Sequence, residues 1–452
     1  MAPARPRPRL LLFFSAALLF FLLFAAHPAA AAQVGDACSS SGGGCGSGMH
    51  CSACGAGGDS ICTRASPVDP ATHGTGLPFN NYSWLTTHNS YALAGAASAT
   101  GNPLITETNQ EDTVTAQLKN GVRGLMLDTY DFDNDVWLCH SFGGKCYNFT
   151  AFQPAINVFK EIQTFLDANP SEVVTIFLED YTATGSLPKV FNASGLMKYW
   201  FPVSKMPKSG GNWPLLKDMI SQNQRLLVFT SKKSKEASEG IAYEWNYVVE
   251  NQCRFQYMPC FNGLQSFPFF FLDSFVDQIC FIHTDGNDGM VAGKCPNRAE
   301  SPAMDSKSQS LVLMNFFTTS PSQTGVCGNN SAPLVSMLKT CHDASGNRWP
   351  NYIAVDFYMR SDGGGAPLAT DIANGHMVCG CDNIAYCKAN STFGTCVIPP
   401  PPPPSPPKAP TPGSRGSTAG GDASAGMARS HHLPSQWSFF LGLPSLLLLL
   451  LS

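Results

Sequence analysis

The feature of this sequence that most constrains the fold is a series of short apolar runs, each ending at a polar residue. Residues 122–127 are followed by Asp128, and residues 173–178 are followed by Glu179. Between them, residues 156–166 place apolar side chains at the three-to-four spacing of an amphipathic helix. Strands that alternate with helices predict a mainly parallel sheet.

Three more apolar runs extend this pattern, over residues 226–229, 311–317 and 352–355, and the last is followed by Asp356. Polar side chains at the C-terminal ends of strands are typical of a (β/α)8 barrel. We therefore predict an α/β barrel over residues 78–365. A doubly wound open sheet is the alternative, because this pattern does not count the strands.

Both ends of the chain have the composition of targeting signals. Residues 1–32 combine arginines, an apolar run and an alanine-rich exit, which favours a cleaved signal peptide over a retained membrane helix. Residues 425–452 follow a stretch of small residues and end in an apolar tail, which predicts a removable GPI-anchor signal rather than a short transmembrane tail. Ser424 is the expected attachment residue, with Asp422 and Ala423 as alternatives. These signals predict a GPI-anchored protein on the extracellular face of the plasma membrane.

Three shorter segments flank the predicted barrel. Residues 33–77 and residues 366–398 are rich in cysteine, and residues 399–424 contain a long run of proline. The two Cys-rich segments predict small disulfide-stabilised extensions. The proline run predicts an extended, semi-rigid stalk.

The 17 cysteines agree with an oxidising compartment, where disulfides persist. Several cysteines lie close together in the sequence, and local pairing is the simplest prediction. It joins Cys139 to Cys146, Cys253 to Cys260, Cys280 to Cys295, and Cys327 to Cys341. The Cys51-x-x-Cys54 motif is expected to form structural disulfides rather than a zinc or redox site. Because the total is odd, one thiol is left over or pairs between chains.

The surface chemistry of the chain adds two expectations. Five N-x-S/T sequons predict N-linked glycosylation in the secretory pathway. They begin at Asn81, Asn148, Asn192, Asn329 and Asn390. The formal net charge is −4, without a polybasic face, so nucleic acid is not an expected partner.

Two histidines at the ends of apolar runs, His88 and His140, form a candidate acid–base pair. An imidazole with a pKa near 6.5 can accept or donate a proton at neutral pH. Asp128 and Glu179, at strand ends, could orient a histidine or bind a hard cation such as Ca²⁺. The structural alternative is that each histidine only forms hydrogen bonds and that each carboxylate only caps a helix.

Four motifs in this region resemble those of one family. In order they are T-H-N-S-Y from Thr87, G-V-R-G-L-M-L-D from Gly121, L-C-H-S from Leu138, and F-L-E-D from Phe177. Their order and spacing, over about residues 78 to 182, resemble the X region of phosphatidylinositol-specific phospholipases C. The layout of the chain is similar to that of plant GPI-anchored proteins that contain only the X-type domain.

The resemblance implies a distorted TIM barrel and an intramolecular phosphoryl transfer. In that reaction the inositol 2-hydroxyl attacks the phosphodiester and diacylglycerol leaves. By resemblance, His88 matches the first catalytic histidine and His140 matches the general acid. Asp356 is the candidate for the carboxylate that orients His88. Lys232 and Lys233 are candidates for contact with the substrate phosphate.

The resemblance also implies a calcium site, with one departure. Asn89, Asp128 and Glu179 match three calcium-ligand positions of the eukaryotic enzymes. The fourth, a glutamate in those enzymes, is Met126 here, and a thioether is a poor ligand for Ca²⁺. Bacterial enzymes have an arginine in place of the metal, at the position of Asp128. We therefore expect weak Ca²⁺ binding at most.

Two other functions are alternatives. A glycerophosphodiester phosphodiesterase would share the barrel and the histidines, but its E-x-D metal pattern is missing after the first histidine. A catalytically weak cell-surface scaffold would keep the barrel for binding, and Met126 favours this alternative. The substrate could be phosphatidylinositol, a phosphorylated form, a GPI anchor or a soluble inositol phosphodiester. The lack of a strongly basic pocket argues against highly phosphorylated headgroups.

Overall fold

The structure is a computed structural model that describes residues 32–39, 44–251 and 290–397. The predicted signal peptide (apart from Ala32), proline stalk and GPI-anchor signal, with Ser424, lie outside these residues. The predicted Cys253–Cys260 pair lies outside them as well. Within the described residues, no helix is both long enough and apolar enough to cross a membrane.

The described residues contain twelve strands and eight α-helices. The strands are β1 (Met49–Ser52), β2 (Ile61–Arg64), β3 (Trp84–Thr87), β4 (Gly124–Phe132), β5 (Asp135–Cys139), β6 (Ala151–Pro154), β7 (Val174–Tyr181), β8 (Leu226–Thr230), β9 (Ala242–Tyr243), β10 (Val248–Glu250), β11 (Leu311–Phe316) and β12 (Tyr352–Val355). The helices are α1 (Val114–Lys119), α2 (Ala155–Ala168), α3 (Ser186–Ser194), α4 (Leu216–Ser221), α5 (Ser234–Glu239), α6 (Gly325–Asn329), α7 (Ala332–Ala344) and α8 (Gly365–Asn374).

Eight parallel strands form one curved sheet in the order β10-β11-β12-β3-β4-β7-β8-β9. The first strand of this sheet in the sequence, β3, pairs with the last, β12, through Trp84↔Tyr352 and Val355↔Thr87. A doubly wound sheet reverses its strand order at a switch point, whereas a barrel keeps sequence order around a ring. The α/β barrel prediction is therefore confirmed.

The barrel is distorted where β9 and β10 meet. These two strands are only two and three residues long, and a single turn of 3₁₀ helix, Glu244–Asn246, connects them. Among the described residues, no ladder of hydrogen bonds joins β9 to β10. The ring of strands is consequently open on this side.

Strand β4 runs farther than the sequence predicts. It continues past Asp128 to Phe132 and forms an antiparallel pair with β5. Its first residue is Gly124 because β3 approaches closely there. A Cβ atom at this position would lie 2.2 Å from the hydroxyl of Thr86.

Alternation along the strands divides the apolar residues between two cores. Leu125, Leu127 and Ile176 pack with the helices outside the barrel. Phe177, on the opposite face of its strand, packs in the barrel interior, and Met126 packs against that interior cluster. Because successive side chains point to opposite faces, the interior row of β4 continues from Met126 to Asp128.

Seven disulfides join the described cysteines. They are Cys38–Cys51, Cys45–Cys62, Cys54–Cys327, Cys139–Cys146, Cys295–Cys341, Cys379–Cys387 and Cys381–Cys396. The local prediction is confirmed for Cys139–Cys146. It is wrong for Cys280–Cys295 and for Cys327–Cys341, because the fold brings cysteines together that are distant in sequence. Cys51 and Cys54 each pair with another partner, so this motif forms structural disulfides as expected.

Candidate active site

His88 follows the last residue of β3 and is fixed by its backbone. Its N–H donates to the carbonyl of Val355 at 3.1 Å, and its carbonyl accepts from Nε2 of Gln110 at 2.8 Å. The next residue, Asn89, has a left-handed φ of 41°. These contacts hold His88 at the C-terminal end of the barrel, the end at which barrel enzymes place their active sites.

The imidazole of His88 is oriented by three side chains. Its Nδ1 atom lies 2.9 Å from Oδ1 of Asp356, which is fully buried. The same carboxylate oxygen accepts from Nδ2 of Asn109 at 2.9 Å. The ring of Phe317 stacks on the imidazole, with 3.7 Å between centroids and 2° between planes. In the tautomer whose Nδ1–H donates to Asp356, Nε2 is the atom of the ring that can accept a proton.

Asp356 lies at the end of β12 and is followed by a strained residue. Phe357 has a φ of 44°, a conformation that bulky L-residues rarely adopt. Its N–H donates to the carbonyl of Asn109 at 2.7 Å. Left-handed residues therefore follow both His88 and Asp356. Strain of this kind persists only where the surrounding structure enforces it, and it is concentrated at functional sites.

His140 follows β5 and stands on the same side of the barrel as His88. Its Nδ1–H donates to the carbonyl of Glu107 at 2.9 Å, and its own carbonyl accepts from the hydroxyl of Thr106 at 2.7 Å. Burial lowers the pKa of His140, the hydrogen bond to the Glu107 carbonyl opposes this shift, and the nearby His88 has a smaller lowering effect. Among the described residues, no hydrogen bond to the Nε2 atom of His140 is present.

One cavity of about 1040 Å³ contains both histidines. Its wall also includes the predicted residues Asn89, Asp128 and Glu179. Lys232 and Lys233 do not line it, and Nζ of Lys232 donates instead to the carbonyl of Thr182 at 2.8 Å. The fold thus brings together the histidines and the candidate metal ligands, but it does not bring in the two lysines.

Lys145 and Arg298 are the cationic lining residues that the sequence did not identify. Lys145 lies within the loop that the Cys139–Cys146 disulfide closes, and a lysine between two cysteines that are predicted to pair was a usable signal. Arg298 had no such signal, because its place depends on long-range packing.

Arg298 belongs to a cluster of charged side chains in the cavity wall. Its Nε atom lies 3.0 Å from Glu300, and its Nη1 atom lies 3.6 Å from Glu250. Its guanidinium is 5.5 Å from the ring centroid of Trp245. Burial opposes the charge of Arg298, but Glu250 and Glu179 raise its pKa. Glu179 is therefore already within the electrostatic influence of a cation.

The candidate metal ligands also have partners of their own. With its amide nitrogen turned toward Asp128, Asn89 donates to both carboxylate oxygens, at 3.1 and 3.3 Å. Glu179 accepts a short hydrogen bond from the hydroxyl of Tyr181. The interior neighbour of Asp128 on the same strand is the thioether Met126.

The side chains at the predicted calcium site contact one another or a neighbouring residue. Ca²⁺ takes six to eight oxygen ligands. Asn89, Asp128 and Glu179 supply few of these oxygens, Asn89 is hydrogen-bonded to Asp128, and Glu179 is hydrogen-bonded to Tyr181, so weak Ca²⁺ binding at these residues stays a prediction.

All five sequons fall within the described residues, and none of their asparagines is buried. Glycosylation at Asn81, Asn148, Asn192, Asn329 and Asn390 stays a prediction.

The fold and the site define an α/β-barrel protein with a histidine–carboxylate pair and a second histidine in one cavity. Residues 78–258 match the PI-PLC X family model. The chain is 48% identical over 364 residues to the PI-PLC X domain-containing protein At5g67130 of Arabidopsis thaliana. The aligned region covers 80% of this chain and 78% of that protein. The chain belongs to the PI-PLC X domain family.

Weaker similarities cover parts of the chain. A PI-PLC X domain-containing protein of Arthroderma benhamiae is 34% identical over 137 residues, covering 29% of this chain and 43% of that protein. The phosphatidylinositol-specific phospholipase C of Listeria monocytogenes aligns with 15% identity and a TM-score of 0.37, over 63% of this chain and 90% of the bacterial one. A Staphylococcus aureus enzyme of the same kind aligns with 13% identity and a TM-score of 0.38, over 68% and 95%.

Proposed function

We propose that this protein is a phosphodiesterase that cleaves an inositol phosphodiester by acid–base catalysis with His88 and His140. The observation that carries the proposal is that both imidazoles line one cavity while their Nδ1 atoms are held by protein acceptors. Each ring thus has Nε2 available for the reaction. Membership of the PI-PLC X family supports this class of substrate.

In the proposed reaction, Nε2 of His88 takes the proton from the inositol 2-hydroxyl. The resulting oxygen attacks phosphorus, and the bond between phosphorus and the leaving oxygen breaks. Protonated His140 gives its proton to that oxygen as the alcohol leaves. The products are a cyclic inositol phosphate and the free alcohol, and the buried Asp356 carboxylate stabilises the imidazolium that forms at His88.

We propose that Ca²⁺ is not required, since Asp128 and Glu179 are engaged by Asn89 and Tyr181. The proposed reaction uses no metal ion. Among the described residues, the lysine and arginine side chains in the cavity wall are Lys145 and Arg298.

We further propose that the leaving alcohol is a diacylglycerol or a similar lipid. The loop closed by Cys139–Cys146 begins one residue before His140 and carries Phe142, which is 64% exposed. Phe142 stacks on Tyr147, and Tyr147 stacks on Phe149. Apolar side chains at the rim beside the general acid suit an apolar leaving group. The terminal signals would present this site to the outer leaflet, as a GPI-anchored protein.

The test compares the full-length protein, purified in detergent, with its His88→Ala and His140→Ala variants. Phosphatidylinositol turnover and release of cyclic inositol phosphate are measured. We expect each variant to lose about 10²- to 10⁴-fold in kcat. An exposed histidine outside the cavity, His73, provides the matched control as His73→Ala. Equal turnover in the wild type and His88→Ala would refute the catalytic assignment.

The scaffold alternative is favoured by one observation, the presence of Met126 at the fourth expected calcium-ligand position, where it packs against the barrel interior. It predicts that the wild type binds phosphatidylinositol vesicles without turnover and that both alanine variants bind equally well. Cyclic phosphate release by the wild type would exclude it.

A further inference from the structure

The N-terminal Cys-rich module, residues 33–77, contacts the segment that carries Asp356. Its Cys54 is bonded to Cys327, and both residues are buried. Its Thr63, which is fully buried, donates from Oγ1 to the carbonyl of Met359 at 2.6 Å. The disulfides Cys38–Cys51 and Cys45–Cys62 stay within the module. Only one of its three disulfides therefore reaches the barrel.

The Cys54–Cys327 disulfide connects to Asp356 through a short chain of hydrogen bonds. The carbonyl of Cys327 accepts from the N–H of Asp362 at 2.9 Å and from the hydroxyl of Ser331 at 2.7 Å. Nδ2 of Asn330, three residues after Cys327, donates to the carbonyl of Asp356 at 2.9 Å. The segment from Asp356 to Asp362, here named the Asp356 loop, is thus held at both of its ends.

The Asp356 loop needs such support because it contains the left-handed Phe357. A residue in this conformation relaxes when its surroundings allow it. The N–H of Phe357 is tied to Asn109, which also donates to the carboxylate of Asp356. Relaxation at Phe357 would therefore move the carboxylate and the imidazole of His88 relative to each other.

We propose that the Cys-rich module is a positioning element for the active site, acting through the Cys54–Cys327 disulfide and Thr63 on the Asp356 loop. The proposal rests on the function assigned above only for its kinetic consequence. Its structural consequence is independent of activity: the module holds the backbone that presents Asp356 to His88.

The experiment replaces one disulfide at a time in the full-length protein. The Cys54→Ala/Cys327→Ala variant removes the bond to the barrel, and the Cys38→Ala/Cys51→Ala variant removes a bond within the module. Hydrogen–deuterium exchange is measured at the amides of Phe357 and Asp362. We expect exchange at these amides to accelerate about tenfold or more in the first variant and to stay unchanged in the second.

Kinetics provide the second readout. Positioning predicts that kcat falls by about tenfold or more in Cys54→Ala/Cys327→Ala while KM stays within about twofold, since small misplacement of catalytic groups affects the chemical step. Thr63→Val, which keeps every disulfide and the shape of the side chain, is expected to change kcat and exchange in the same direction by a smaller factor. It also tests the proposal if the disulfide variant does not fold.

Unchanged exchange at Phe357 and Asp362 in both the Cys54→Ala/Cys327→Ala and Thr63→Val variants would overturn the proposal. Equal losses from the Cys38–Cys51 and Cys54–Cys327 replacements would also overturn it, since they would show a general effect on stability. If the wild type has no turnover, the proposed function fails, but the exchange experiment still decides whether the module supports the Asp356 loop.

Discussion

The Nδ1 atom of His88 lies 2.9 Å from Oδ1 of Asp356, although 268 positions separate the two residues in the chain. Asp356→Asn keeps the shape of the side chain but removes the negative charge that stabilises a protonated His88. We expect kcat for phosphatidylinositol to fall about 10²- to 10⁴-fold with folding intact. The measurement is steady-state turnover, with circular dichroism to verify the fold.

An aspartate far from the cavity provides the control for this substitution. Asp343, on α7, is exposed and pairs with Lys339 on the surface. Asp343→Asn should leave kcat within about twofold of the wild type, because exposed ion pairs contribute little. A small and equal effect of both substitutions would show that Asp356 does not support catalysis.

The family resemblance predicted this pair, and the sequence pattern agrees with it, since each member directly follows a strand and parallel strands end at the same edge of the sheet. A prediction from neighbouring strand ends does not depend on how far apart the two residues lie in the sequence. The disulfides Cys54–Cys327 and Cys295–Cys341 could not be predicted in this way, since they join loops and helices whose packing depends on the complete fold. Arg298 was not predicted for the same reason. Lys232 was predicted because it follows a strand, but it does not line the cavity and donates to the carbonyl of Thr182 instead.

His140 predicts how activity depends on pH. A general acid must carry a proton, and burial lowers the pKa of His140 from its ordinary value of 6.5. As pH rises through this lowered pKa, the protonated fraction and kcat/KM both fall. Measured between about pH 5 and pH 8, kcat/KM should therefore decline on the alkaline side from a midpoint below 6.5.

The control for this pH dependence is His140→Gln, which has no titrating ring at this position. It should lose most of its activity, and the residual activity should lack the alkaline decline. The assignment of His140 as the acid is wrong if this variant keeps the same alkaline midpoint as the wild type.

The side chains around Met126 predict how turnover depends on calcium. Because Asp128 and Glu179 already have partners, we expect EDTA to change the wild-type kcat by less than about twofold, and calorimetry to detect no Ca²⁺ binding at micromolar concentrations. Met126→Glu adds a carboxylate beside Asp128 on the interior face of β4 and is expected to create measurable Ca²⁺ affinity. The matched control is Met126→Gln, which has a similar shape without the charge.

Two results would contradict this prediction. The first is loss of wild-type turnover in EDTA that added Ca²⁺ restores. The second is calorimetric binding of Ca²⁺ to the wild type that Asp128→Asn abolishes. Either result would show that the carboxylates reorganise around the ion and release their present partners.

The exposed aromatic rim beside His140 predicts a difference between lipid and soluble substrates. Phe142 is 64% exposed, lines the cavity and stacks on Tyr147 rather than on either histidine. Phe142→Ser should lower vesicle binding and turnover of phosphatidylinositol in vesicles about fivefold or more, because an exposed aromatic contributes apolar area to a lipid surface. Turnover of a soluble glycerophosphoinositol should stay within about twofold.

Met197→Ser provides the matched control, since Met197 is a 43% exposed apolar residue outside the cavity wall. Equal losses on both substrates would mean that Phe142 supports the cavity rather than a lipid contact, and the lipid leaving group would then have no support from the rim.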